Sequence, residues 1–316
     1  MNKECVLDHF GIVDRGLRLY IAIGPYHPIE GFVAYLKYVP FGEGPWGKWG
    51  TTFSRVTSVY SPYSIGLGGC IEEVYDPFLG ASVPIVPRDA AWIVVDPRDV
   101  AKRIVSSCGD ELECLAAELL STLVSYGLPL DCIGVSGSMM FGIHVPKHSD
   151  IDLVIYGERC IERALEVLPL ALEPLPRSRK EIIIENLSHI HGIPLELARK
   201  CLEIPRRGLF KGVEVTVVYT WSEPWALRDP VSSSRCVEME IEVDSGELGA
   251  LMYPAKFLAR ARDEELEVWS FEAALSIPMY FGGRFKVRGT LQTLSTGVKR
   301  LVLGVRECPS SANYLV

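Results

Sequence analysis

The chain has 316 residues, enough for about two domains, and its 48% hydrophobic and 23% charged content is that of an ordinary globular protein. No stretch approaches the ~18 uninterrupted apolar residues that a membrane helix needs, and Met1 to Cys5 lacks the basic-then-apolar pattern of a secretory leader, so a cytoplasmic protein without a membrane partner is the expectation. A formal charge of −8 argues against a broad nucleic-acid footprint, because such binding rests on a basic surface that releases counterions.

Residues 1–96 form a stretch rich in Gly, Pro and aromatics. Arg18 to Ile23 and Gly31 to Leu36 are β-prone runs, separated by the break Gly24-Pro25-Tyr26-His27-Pro28. Pro40 to Gly47 predicts an exposed loop, and Trp46 and Trp49 in or beside it suit either base stacking or the anchoring of a β-module. At Asp96-Pro97 the texture changes, since an Asp cap before a Pro is a good helix start. Val100, Ile104, Leu112, Leu115, Leu119, Leu120 and Leu123 recur at helical spacing, broken at Cys108-Gly109-Asp110 and ended by Gly127 and Pro129.

From Cys132 the pattern predicts a strand to Val135, a tight turn, a strand over Ile151 to Tyr156, helices over 161–168, 181–187 and 195–202, and a strand over Gly212 to Tyr219. Beyond Pro224 the β texture returns in Val237 to Val243, Phe285 to Leu291 and Arg300 to Gly304, with Gly282-Gly283 predicted to turn a hairpin. The nine cysteines include no C-x-x-C pair, which argues against a zinc knuckle. Their odd number predicts buried thiols over a disulfide framework. Gln292 is the only glutamine and Asn2, Asn186 and Asn313 the only asparagines. That poverty of thermolabile amides points to a heat-adapted source, in which intracellular disulfides do form.

The segment that carries chemistry runs from Gly134-Val135-Ser136-Gly137-Ser138 to Ser149-Asp150-Ile151-Asp152-Leu153. Residues two apart on a strand share a face, so Asp150 and Asp152 converge while Ile151 and Leu153 face a core. Two adjacent carboxylates repel unless a cation neutralises them, and an oxygen-loving divalent ion, Mg²⁺ or Mn²⁺, resolves the conflict. Upstream, Gly137 permits close backbone approach and Ser138 adds a hydroxyl where a strand enters a helical turn, a place suited to phosphate. A phosphate cradle facing an acid pair is what phosphoryl transfer needs.

Gly-Ser followed by Asp-x-Asp on an apolar strand resembles the signature of the DNA polymerase β-type nucleotidyltransferases. The run Gly134 to Gly157 also resembles an archaeal group of predicted nucleotidyltransferases, as do His27-Pro28, Ala34 to Pro40, Val86 to Asp89, Val287 to Leu291 and Arg300 to Gly304. The resemblance implies a third carboxylate from a later strand, and Glu214, alone between apolar neighbours, is the choice over Glu238, Glu240 and Glu242, an alternating face that reads as solvated. It also implies that Asp150, Asp152 and Glu214 hold two Mg²⁺ (or Mn²⁺) ions on a nucleoside triphosphate. Gly137, Ser138 and Ser149 then contact the nucleotide, and a hydroxyl acceptor (RNA, protein or small molecule) displaces pyrophosphate. The alternative is a nucleotide- or RNA-binding protein that uses the same pocket without turnover. His189 and His191 read as surface residues, Lys147 and His148 as a loop before the acids, and Arg177, Arg179, Lys180, Arg206, Arg207 and Lys211 as a basic rim. The expected fold is an α/β (α+β) nucleotidyltransferase domain over 97–224 between β-rich modules at 1–96 and 225–316.

Overall fold

Gly- and Pro-rich punctuation in the first stretch produces short strands that curl on one another. A computed structural model describes residues 5–48, 50–56, 72–262 and 264–315; Trp49 and Cys70 lie outside them. The N-terminal sheet comprises β1 (Gly11–Asp14), β2 (Leu19–Ala22), β3 (Gly31–Pro40), β4 (Trp46–Lys48), β5 (Thr51–Arg55), β6 (Glu72–Asp76), β7 (Ala81–Pro87) and β8 (Ala91–Val95). The long β3 is the hub, pairing with β2 along one edge and with β7 and then β5 along the other. Pro40 to Gly47, expected as a loop, is a tight connection that already enters β4 at Trp46 and pairs back onto β5.

Two capped helices follow. The Asp96 carboxylate accepts from the Arg98 N–H at the start of α1 (Pro97–Ser106), and Asp110 caps α2 (Glu111–Ser125) through the Glu113 N–H. Then come β9 (Ile133–Val135), the single-turn α3 (Gly137–Phe141), β10 (Ile151–Tyr156), α4 (Glu158–Ala171), α5 (Arg177–His191), α6 (Leu195–Cys201), β11 (Arg207–Phe210) and β12 (Val213–Thr220). In their sheet β10 runs antiparallel to β9 and parallel to β12, with β11 beyond.

The last stretch holds β13 (Val231–Val243), β14 (Met252–Tyr253), β15 (Ala255–Ala261), β16 (Glu264–Ser270), the short α7 (Ala273–Ser276), β17 (Gly283–Leu294), β18 (Lys299–Leu303) and β19 (Ser311–Tyr314). While β14 joins the central sheet beside β12, β13, β15, β16, β18 and β17 pair in that order and β17 returns to β13, closing a five-stranded barrel. Gly282-Gly283 does not turn a hairpin; Gly282, at φ 74°, ends a 3₁₀ turn over Ile277–Phe281, and Gly283 opens β17.

These sheets correct the expected fold class. The chain is β-rich throughout, 40% strand against 28% helix, with curled sheets and a closed barrel, and is not an α/β nucleotidyltransferase domain with flanking modules. One apolar core runs through all three stretches, from Ile21 and Tyr38 through Leu119, Leu153 and Val217 to Val268, Phe285 and Leu301. The physical reason is that barrel closure and sheet-to-sheet packing depend on pairings far apart in sequence, which local periodicity does not encode.

Three disulfides, Cys108–Cys114, Cys132–Cys160 and Cys236–Cys308, likewise replace the expected buried thiols, while Cys5 and Cys201 are free. The acidic strand β13 pairs with β17 along its length and with β15 only at Glu242. Its Glu238, Glu240 and Glu242 are solvated and matched by Lys286, Arg284 and Arg260.

Candidate functional site

The two faces of β10 divide the molecule. Ile151, Leu153 and Ile155 point into the main core, whereas Val154 and Tyr156 pack under the N-terminal sheet against Phe10, Ala22, Phe32 and Leu36. Alternation puts Asp152 on this second face, half-buried at its mouth, with Asp150 exposed just before the strand. The strand turn that precedes α3 meets Asp152 directly. The Ser136 N–H donates to the Asp152 carbonyl at 2.8 Å, and Gly137, at φ 64°, lies so close that a Cβ there would fall 2.0 Å from Asp152 Oδ2. Only glycine satisfies both the left-handed backbone and this approach. The Gly-Ser and Asp-x-Asp elements are therefore one contact, as their order predicts.

Ser138 is buried, with its hydroxyl 3.4 Å from that of Ser149, and Ser149 Oγ also accepts from the Val145 N–H at 3.0 Å. Ser149 thus holds the turn that leads into the acids. The α3 turn is only five residues long, and its last carbonyls are met from the N-terminal sheet, where Lys48 Nζ donates to Phe141 O at 2.7 Å.

Neither Asp150 nor Asp152 has an ion-pair or side-chain hydrogen-bond partner among the described residues. Burial, and next the charge of Asp150, push the Asp152 carboxyl above the ordinary range; Lys37 on β3, His9 and Arg55 on β5 oppose that rise. Desolvation lowers the Lys37 ammonium, with Asp152 opposing. The Arg55 guanidinium lies 5.8 Å from the Tyr38 ring centre and 5.1 Å from that of Trp46, so Trp46 anchors this wall.

Glu214 shares the sheet face of Asp152, because register pairs Asp152 with Thr216 two residues further along β12. Its carboxylate, however, is held by Arg179 at 3.0 Å and by Arg207 at 3.5 Å. Among the described residues no three His, Cys, Asp or Glu side chains gather as a metal cluster. The structure brings Asp150, Asp152, Gly137, Ser138 and Ser149 together, and ties Glu214 to two arginines instead. The donor set that remains, two unpaired carboxylates, fits Mg²⁺ or Mn²⁺, which are commonly held by one or two carboxylates with substrate phosphates and water completing the shell.

The charges of Lys37, His9 and Arg55 bear on Asp152 from segments about a hundred residues or more upstream. The run Ala34 to Pro40 contains Lys37, but no spacing rule connects it to Asp152. The basic rim is largely engaged: Arg206 Nε donates to Val217 O, Lys211 pairs with Glu118, and Arg179 and Arg207 with Glu214. His191 Nδ1 lies 2.5 Å from the buried carboxylate of Glu272 and fastens α5 to the barrel end. Lys147 and His148 are exposed. No helix of the described residues is long and apolar enough to cross a membrane.

No family model and no solved structure matches the chain. It is similar to an uncharacterized protein of Methanocaldococcus jannaschii, 28% identical over 176 residues, which cover 49% of this chain and 49% of that protein. The chain thus spans about half the length of the curated relative it matches.

Proposed function

We propose that the protein is a divalent-metal-dependent nucleotidyltransferase, moving a nucleotidyl group from a nucleoside triphosphate to a hydroxyl acceptor with release of pyrophosphate. The observation that carries this reading is the acid pair Asp150 and Asp152. Among the described residues neither carboxylate has an ion-pair or side-chain hydrogen-bond partner, and Asp152 lies against Gly137 where no Cβ would fit. A divalent cation there neutralises the acid pair and the triphosphate charge. Gly137, Ser138 and Ser149 border the phosphates, Lys37 and Arg55 add positive charge from the N-terminal sheet, and Glu214 contributes by fixing Arg179 and Arg207 along the same face. A cytoplasmic setting, where triphosphates are abundant, suits the reaction.

The test has two parts. Mg²⁺ or Mn²⁺ with a triphosphate should raise the melting temperature by linkage, and Asp152→Asn should abolish most of that rise. Incubation with labelled ATP, CTP, GTP and UTP and pooled RNA, protein and metabolite acceptors should give label transfer that Asp152→Asn removes. Triphosphate binding without any transfer would replace this reading with that of a nucleotide-binding protein.

A further inference from the structure

The sheet face that carries Asp152 continues beyond the acid pair. Register sets Asp152 of β10 beside Thr216 of β12, and Thr216 opposite Arg207 of β11, so the three residues form one row on one face. Two strand spacings, about 10 Å, separate the backbone of the first from that of the last. Further along β10, Val154 and Tyr156 pack beneath the N-terminal sheet. Asp152 and Thr216 are only half-buried and Arg207 is exposed, so the row leads from the acids towards solvent.

Arg207 is one of a pair. Arg179, in the first turn of α5, meets the Glu214 carboxylate with Nε at 3.0 Å and Nη2 at 3.3 Å, and Arg207 Nη1 meets the same carboxylate at 3.5 Å. One acid thus holds two like charges side by side and orients both guanidinium groups. The side chains of Arg179 and Arg207 keep 46% and 36% of their surface exposed, and ion pairs this open to water add little stability. Glu214 also occupies only part of their donor forks. Arg179 Nη1 and Arg207 Nε and Nη2 have no hydrogen-bond partner among the described residues. Arg177 and Lys180 share the first turn of α5 with Arg179, while Glu173, bridged to Leu209 of β11, is a further acid at this edge. Spare N–H groups on a planar, permanently charged fork match the oxygens of a phosphate.

We propose that Arg179 and Arg207, held by Glu214, form a phosphate-binding subsite for the acceptor, so that the molecule attacked onto the nucleotide carries a phosphate group of its own; this rests on the nucleotidyl-transfer reading above. The attacking hydroxyl lies at Asp150 and Asp152, and a phosphate of the same molecule lies across Thr216 on the arginine pair. Glu214 is a positioning residue. A contact of this size takes one or two phosphates, which accords with a chain of net charge −8 that is unsuited to a broad nucleic-acid footprint. A nucleic-acid strand and a phosphorylated small molecule present the same chemistry to the two guanidinium groups, and the experiment separates them.

The experiment compares the full-length parent with Arg179→Gln, Arg207→Gln, the double Gln variant and the double variant Arg179→Lys with Arg207→Lys. The probes are a twelve-nucleotide adenylate RNA and ribose 5-phosphate, with ribose as the uncharged control. Calorimetry with Mg²⁺ at several salt concentrations should show the parent binding at least one phosphate-bearing probe and not ribose. The double Gln variant should bind that probe roughly tenfold more weakly or worse. For RNA, the slope of log affinity against log salt should flatten by about 0.7 to 1.4, the share of one or two phosphates on a single strand. The Lys pair keeps both charges and should restore the slope but only part of the affinity, because an ammonium lacks the paired donors; its recovery separates a lost contact from a lost fold. Triphosphate affinity should stay within roughly threefold of the parent in every variant. A parent that binds neither phosphate probe, a double Gln variant that binds like the parent, or an equal loss of triphosphate affinity overturns the acceptor subsite and leaves the nucleotidyl-transfer reading standing. A parent that binds a phosphate probe through the arginines but neither binds triphosphate nor transfers from it overturns the nucleotidyl-transfer reading, and the acceptor role with it.

Discussion

At the residue scale, Asp152 shows how burial and charge oppose each other. Its carboxyl is raised, first by desolvation and then by Asp150, so the ionised form is disfavoured in the folded state. A group raised on folding contributes stability at pH below its unfolded value and loses it as pH climbs through the folded one. In metal-free protein with chelator, Asp152→Asn should therefore melt higher than the parent at pH 7 to 8. The advantage should shrink towards zero as pH falls to about 4, where a free carboxylate takes up its proton. Differential scanning fluorimetry across that range measures it, and a neutral-pH destabilisation would mean that Lys37 and Arg55 outweigh burial. Gly137 and the spacing of Asp150 and Asp152 were legible in the sequence because a turn glycine and a two-residue strand repeat are local signals. The engagement of Glu214 by Arg179 and Arg207 was not, since it depends on where α5 and β11 come to lie.

At the scale of elements, caps and periodicity carried the helices. Asp96 before Pro97 and Asp110 before α2 act as the sequence predicts, and β10 and β12 form where apolar runs predict them. The strands β15 and β16 and the closing pair β13–β17 escape that reading, because alternation marks a strand without naming its partner. The disulfides belong here too. Cys236–Cys308 ties β13 to the segment before β19 across a separation of 72 residues. In the chain-entropy account a bridge of that span is worth about 4 kcal/mol. Cys236→Ser should lower the urea or guanidinium midpoint accordingly, and reductant should lower the parent but not the variant by that share. An unchanged midpoint would mean that the bridge constrains nothing.

At the scale of the molecule, the continuous core from Ile21 through Leu119 and Leu153 to Leu301 predicts cooperative unfolding. A buried polar latch reinforces it: Arg300 Nε donates to Gln292 Oε1 at 2.7 Å and its Nη2 to Phe78 O at 2.5 Å, while Gln292 Nε2 donates to Leu79 O at 2.8 Å. These bonds join the barrel to the turn between β6 and β7. Far-ultraviolet circular dichroism and tryptophan fluorescence should report one coincident denaturant transition. Two separated transitions would show that the N-terminal sheet or the barrel unfolds by itself.

The sequence alone determined what short-range physics encodes: where the capped helices begin, that β10 and β12 are strands, and where the turn glycine sits before them. Only the tertiary structure decided what stands across from Asp150 and Asp152. The charges of Lys37 and Arg55 bear on Asp152 because the curled N-terminal sheet packs on the β10 face that carries Val154 and Tyr156. The barrel closes because β17 returns to β13. Such contacts arise from burying apolar faces of elements that no local period relates to one another.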